Sequence, residues 1–192
     1  MKTEIKIIKQ FIENKQPKTI REIAKQIKAD YRITYLAMRN LIEKRVILVE
    51  TIGKSSLCKI NEEYYSIEIY QAEDERRQEI LKNRNIKQLY IEVMSKAKTS
   101  SFIWLLFGSY AKGKETKTSD IDLLFVSNED NFESKMTNIL SLLPLKTHLL
   151  VFAEEEFIRM KDSKKPNVIQ EAIENNIIMY EIEAFYRLKN IF

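Results

Sequence analysis

The strongest constraint on how this chain folds is the stretch GSYAKGKETKTSDIDLLFV, which runs from Gly108 to Val126. The run FIWLLF over 102–107 comes just before it. A short apolar segment rich in aromatic and branched side chains reads as a buried strand. The strand must end at Gly108-Ser109, because glycine permits a tight turn and a close approach of backbone to a ligand. Backbone N–H groups left free in such a turn form an anion-binding nest, to which Ser109 adds a hydroxyl. Ten residues after Ser109 the apolar pattern resumes as Asp120-Ile121-Asp122 and the run LLFV over 123–126, a second strand. Side chains alternate faces along a strand, so Asp120 and Asp122 are expected to project the same way.

Two adjacent carboxylates repel each other, and a divalent cation relieves that repulsion. Magnesium sites built on one or two carboxylates take their remaining ligands from substrate phosphates. The Gly-Ser turn, the fixed gap and the carboxylate pair between two apolar strands resemble the signature of the DNA polymerase beta-like nucleotidyltransferases. The small, minimal members are the nearest in pattern. Ala111, Gly113 and Ser119 also fit it, and the resemblance spans roughly residues 75–192.

The resemblance implies transfer of a nucleoside monophosphate from an NTP, ATP in the first instance, to an acceptor. Asp120 and Asp122 would be the catalytic, metal-binding acids. Gly108, Ser109, Lys112 and Ser119 would hold the nucleotide, with Lys114 as a further loop cation. Active members carry a third carboxylate on the next strand, 146–152, where the apolar pattern of this chain places His148. Two Mg²⁺ ions fit the family pattern, and one fits if the third acid is truly missing. Glu154, Glu155 and Glu156 follow that strand and are the alternative source of the acid.

Charge divides the chain. Residues 1–62 hold fourteen Lys/Arg against seven Asp/Glu, and the remainder holds eighteen against twenty-one. A basic segment joined to a mildly acidic one suggests two units, the first facing a polyanion. Only three glycines and three prolines are present, which argues against long flexible linkers. The lone Cys58 excludes an internal disulfide. The first residues are charged, unlike a signal peptide, and no stretch reads as a membrane span. A cytoplasmic protein is the expectation.

In the N-terminal segment, Ile5, Ile8, Phe11 and Ile12 fall at helical spacing. Thr19 and Glu22 form a capping box ahead of Ile20, Ile23, Ala24 and Ile27. Asp30 is placed to cap a third helix that would bury Ile33, Leu36, Ala37, Asn40 and Leu41. The runs over 46–52 and 57–61, with a turn at 53–56, read as a hairpin. Three helices and a hairpin resemble a winged helix-turn-helix domain, whose third helix enters the DNA major groove. That resemblance puts Arg32, Tyr35 and Arg39 toward DNA and Lys44, Arg45, Lys54 and Lys59 toward phosphates. The same basic face also suits a module that binds protein.

The remaining elements follow from pattern. Residues 61–72 form a connector, read as a strand or a short helix. A long charged helix is expected over 74–98, packed on the sheet or serving as a dimer contact. Helices are expected over 131–143, 168–175 and 184–190, a short helix from 154, and strands over 146–152 and 177–180. The fold class is α+β: a winged helix-turn-helix unit over 1–65, a connector over 66–74, and a small mixed-sheet nucleotidyltransferase unit over 75–192.

Two functions fit. One is an enzyme with an attached DNA-binding module, antitoxin-like, whose acceptor is a hydroxyl on a partner protein such as a toxin. The other is an inactive transcriptional regulator whose second domain senses a nucleotide or binds a partner. No membrane is implicated, and a homodimer is compatible with either.

Overall fold

The computed structural model describes residues 2–53, 55–97, 100–116 and 118–190. The chain parts into two compact units, Met1–Glu75 and Arg76–Phe192. No helix among the described residues is long and apolar enough to cross a membrane.

The first unit carries α1 (Thr3–Glu13), α2 (Ile20–Gln26) and α3 (Tyr31–Glu43), then an antiparallel hairpin of β1 (Ile47–Ile52) and β2 (Ser55–Ile60). Local chemistry sets its helix starts. The Thr19 side chain accepts from the Glu22 amide while Glu22 accepts from the Thr19 amide, a complete capping box. Asp30 accepts from the amides of Arg32 and Ile33. Ile5, Ile7, Ile8, Phe11, Ile23, Met38, Leu41, Val46 and Ile47 are buried together. Lys18 and Cys58 exchange both backbone hydrogen bonds, which ties the loop before α2 to the hairpin. The Lys18 ammonium is enclosed by the carbonyls of Asn14 and Gln16, and burial pushes it below the ordinary lysine range against the opposing pull of Glu22. Burial likewise raises the Cys58 thiol, so it is a packing residue rather than a reactive one.

The third helix turns a different face inward from the one its apolar residues suggest. Thr34, Met38 and Leu41 are buried, Ala37 and Asn40 are half-buried, and Ile33 and Leu36 are 55% and 59% exposed. Thr34 goes inside because its hydroxyl donates to the Asp30 carbonyl at 2.8 Å, which cancels the cost of burying it. The expected inward set of Ile33, Leu36, Ala37, Asn40 and Leu41 did not include Thr34, and of that set only Leu41 is fully buried.

The long helix expected over 74–98 is two helices, α4 (Ile67–Ile80) and α5 (Arg84–Ala97). The break has a local cause: the Asn83 side chain accepts from the amides of Asn85 and Ile86 and starts a new helix. α4 also takes up most of the expected connector.

The second unit is built on a four-stranded sheet in the order β5-β4-β3-β6. Its strands are β3 (Ile103–Phe107), β4 (Ile121–Val126), β5 (Thr147–Phe152) and β6 (Ile177–Tyr180). β3 is antiparallel to β4 and to β6, while β4 and β5 are parallel. A one-turn helix, α6 (Gly108–Ala111), follows β3 directly. One face of the sheet packs against α5 and against α7 (Phe132–Leu140), through Ile86, Leu89, Val93, Phe132 and Met136. Trp104 lies at the centre of this layer, stacked between Tyr90 and Phe125 at ring separations of 5.8 and 5.3 Å. Leu105 and Leu124, of the opposite parity, are also fully buried. The other face is covered by α8 (Glu154–Lys161), α9 (Val168–Glu174) and α10 (Ile182–Lys189).

The two edges of the sheet are finished differently. At β6, Arg76 Nη2 donates to the Asn176 carbonyl at 2.6 Å and Arg77 Nη1 to the Met179 carbonyl at 3.2 Å. At β5 every backbone pairing is to β4.

Candidate active site

The site is assembled at one end of the central strands. β3 delivers the chain to Gly108, and its last residue, Phe107, pairs with Asp122 on β4. Gly108 has φ +67°, in the left-handed region that favours glycine. A Cβ built there would lie 2.0 Å from Asp122 Oδ2, so the missing side chain is the space the carboxylate occupies. Turn and acid are therefore in direct contact. α6 is anchored from below by Tyr110, which is buried in the layer around Trp104, with Ala111 packed beside it. The first amides of a helix have no intrahelical acceptor, so Ser109 and its neighbours present N–H groups at this bend.

Asp122 is 26% exposed at its side chain, and its Oδ1 lies 3.2 Å from His148 Nδ1. His148 is its register partner on the parallel strand β5. The histidine therefore occupies the position where the resemblance calls for a third carboxylate. Glu154, Glu155 and Glu156 do not replace it. They lie beyond Phe152, at the far end of β5, about 13 Å of strand away at the usual rise per residue. There the Glu154 amide donates to Asn128, and Glu156 accepts from the Ala153 amide.

Asp120 precedes β4 and is exposed. It stands at a cleft of about 570 Å³ between the end of α7 and the start of β5, lined among others by Thr137, Leu140, Ser141, Lys146 and Leu149. Among the described residues no three His, Cys, Asp or Glu side chains converge as a metal-binding group. A pair of carboxylates suits one hard cation whose remaining ligands come from phosphate; Asp122 at the bend and Asp120 at the cleft are the two acids that would have to supply it. The donor set does not fit a second cation, because a neutral imidazole suits softer metals.

The loop residues have partners the sequence does not announce. Lys112 Nζ donates to Glu171 Oε1 on α9 at 2.9 Å. The Ser119 hydroxyl accepts from the Thr116 amide at 2.9 Å and meets the Thr116 hydroxyl at 3.1 Å, so it closes the loop turn that precedes Asp120. Gly113, at φ +61°, turns the chain in open space.

In the first unit Arg32, Tyr35 and Arg39 are exposed on α3. Arg39 pairs with Glu43 at 3.0 Å, and Tyr35 lies 6.3 Å from the Tyr31 ring. Lys44 donates to Glu68 at 2.5 Å, which holds its ammonium above the ordinary lysine range. Lys59 donates to Glu50. The Arg45 carbonyl accepts from the Asn61 side chain. Lys54 lies outside the described residues.

A mixed sheet that presents a glycine bend against a strand-borne acid, with a second acid two residues earlier, is the arrangement of a nucleotidyltransferase. The family model "Polymerase beta, Nucleotidyltransferase" matches residues 87–184, just over half of the chain, and the chain belongs to that family. No curated protein and no solved structure matches it.

Proposed function

We propose that the protein transfers a nucleoside monophosphate from an NTP, ATP first, to a hydroxyl acceptor, with one Mg²⁺ held between Asp120, Asp122 and the triphosphate. The observation that carries this reading is the contact between Gly108 and Asp122, which sets a phosphate-binding bend against a cation-binding acid. The bound ion would neutralise charge on the phosphates. This chain's own groups bind and orient. The amides at the start of α6 and the Ser109 hydroxyl take phosphate oxygens. His148 keeps the Asp122 carboxylate in one orientation by hydrogen bonding to Oδ1. Lys112 is poised near the loop but is held by Glu171, so it supplies less cationic character than an unpaired lysine.

The test follows the α-phosphate. The protein with Mg²⁺ and an extract of its parent cell should carry label from α-labelled ATP onto a macromolecule and none from γ-labelled ATP. Transfer of the γ-label, or no binding of any NTP, would sink the reading. ATP binding with no transfer would favour the second reading, a nucleotide-sensing regulator. The observation behind that alternative is His148 in place of the third acid.

The three helices and hairpin of the first unit support a winged helix-turn-helix role on DNA, through Arg32, Tyr35 and Arg39. This agrees with an antitoxin-like protein that binds both an operator and a toxin. Duplex retention should fall steeply with salt, and Arg32→Ala should weaken it, because phosphate contacts release counterions. Exposed Tyr31, Ile33 and Leu36 make the same helix face partly apolar, which suits a protein partner as well. If duplex is not retained even at low salt, the protein-partner role is the one that stands.

A further inference from the structure

We propose that two copies of this chain pair through the outer edge of β5, joining their sheets into one eight-stranded sheet across a two-fold axis. This rests on backbone register and does not depend on the proposed chemistry.

The register fixes which groups are unused. The Ile121 amide donates to the Lys146 carbonyl and the Ser127 amide to the Phe152 carbonyl. In a parallel ladder the residues of one parity face the neighbouring strand, so the groups of His148, Leu150 and Phe152 face β4. Those of Thr147, Leu149 and Val151 face outward, and among the described residues they have no hydrogen-bond partner. Exposed edges are usually blunted by a lysine, a proline, a bulge or a covering element. Thr147–Phe152 contains no lysine or proline, and its register with β4 is unbroken over six pairs. The fold does finish its other edge, where Arg76 and Arg77 cap carbonyls of Asn176 and Met179.

The edge is complementary to itself. Antiparallel pairing centred on Leu149 sets Leu149 opposite Leu149 and Thr147 opposite Val151 in both directions. Every outward amide then finds a carbonyl; the hydrogen-bonded pairs bring apolar or hydroxylic side chains together, and between them His148 stands opposite Leu150. The ends agree in charge. Exposed Lys146 stands at the start of β5, and the acidic first turn Glu154-Glu155-Glu156 follows its end. Antiparallel pairing brings each lysine to the partner's acidic end, whereas parallel pairing would set like charges together.

The experiment measures mass by light scattering across a concentration series, together with amide hydrogen exchange. The full chain should run at twice its 22.8 kDa. In that species the amides of Thr147, Leu149 and Val151 should exchange as slowly as those of His148 and Leu150. Thr147→Pro removes an outward donor at a position an edge strand tolerates, and should leave a folded monomer. Lys146→Glu, an exposed change that leaves the strand intact, should weaken self-association about tenfold through one lost pair on each side of the axis. It decides the matter if the proline variant does not fold. A wild-type monomer at every concentration overturns the proposal, and so does a dimer in which those three amides exchange freely or Lys146→Glu has no effect.

Discussion

Gly108→Ala should reduce nucleotidyl transfer about a hundredfold, the usual loss when a reacting group is displaced by about 1 Å. Two independent costs act at this position. An alanine at φ +67° enters the left-handed region, at roughly 1–2 kcal/mol. Its Cβ would also stand 2.0 Å from Asp122 Oδ2, a separation no real pair of atoms adopts. The carboxylate must then swing away or the bend must open, and either move separates the phosphate-binding amides from the acid. His148 restrains the first route, since it engages the other oxygen of the same carboxylate. The check is steady-state transfer measured beside thermal melting. A lower melting temperature with activity retained would mean that bend and acid do not act together. Gly113→Ala is the matched control: it shares the positive φ but meets nothing within 4 Å, so it should lose stability without a comparable loss of rate.

The parts of this molecule that were legible in sequence are those written in local pattern. The run into Gly108, the Asp-x-Asp strand and the capping residues Thr19 and Asp30 each announce themselves within a few positions. β3, β4, β5 and β6 stand where apolar periodicity puts them. His148 was legible only through the resemblance, which calls for a third acid on that strand; the parallel register that sets it beside Asp122 is a contact between segments that no local pattern gives. What was not legible depends on contacts between distant segments. Nothing near Lys112 points to Glu171, fifty-nine residues away. Nothing in the strand sequences says that one sheet edge is capped by Arg76 and Arg77 while the other is open. The errors have the same origin. Thr34 displaced Ile33 and Leu36 from the interior because a hydroxyl satisfied by the Asp30 carbonyl is as buriable as a methyl group, which hydropathy does not count. The expected single helix over 74–98 broke at Asn83 because one side chain caps two amides, a signal weaker than the charge pattern running through it.

Asp122→Asn is the sharper test of the chemistry, because it removes a charge and almost nothing else. The amide has the size of the carboxylate, can still hydrogen bond to His148 and still fits against Gly108, so the fold and the bend should persist. Cation binding loses one of its two formal charges. Transfer should then fall about a thousandfold, equivalent to roughly 4 kcal/mol of transition-state stabilisation. Melting should stay within a few degrees of wild type, since Asp122 is part-exposed and its neighbours keep their contacts. The effect should also depend on the metal. If the acid acts through a cation, raising the Mg²⁺ concentration recovers part of the rate in the variant and little in the wild type. Asp120→Asn should follow the same course, although Asp120 stands at the cleft rather than against the bend. Should both variants transfer at wild-type rate, these acids are ordinary surface residues of an inactive fold. Should Asp122→Asn alone lose activity without any response to Mg²⁺, Asp122 acts by orienting His148 rather than by holding an ion.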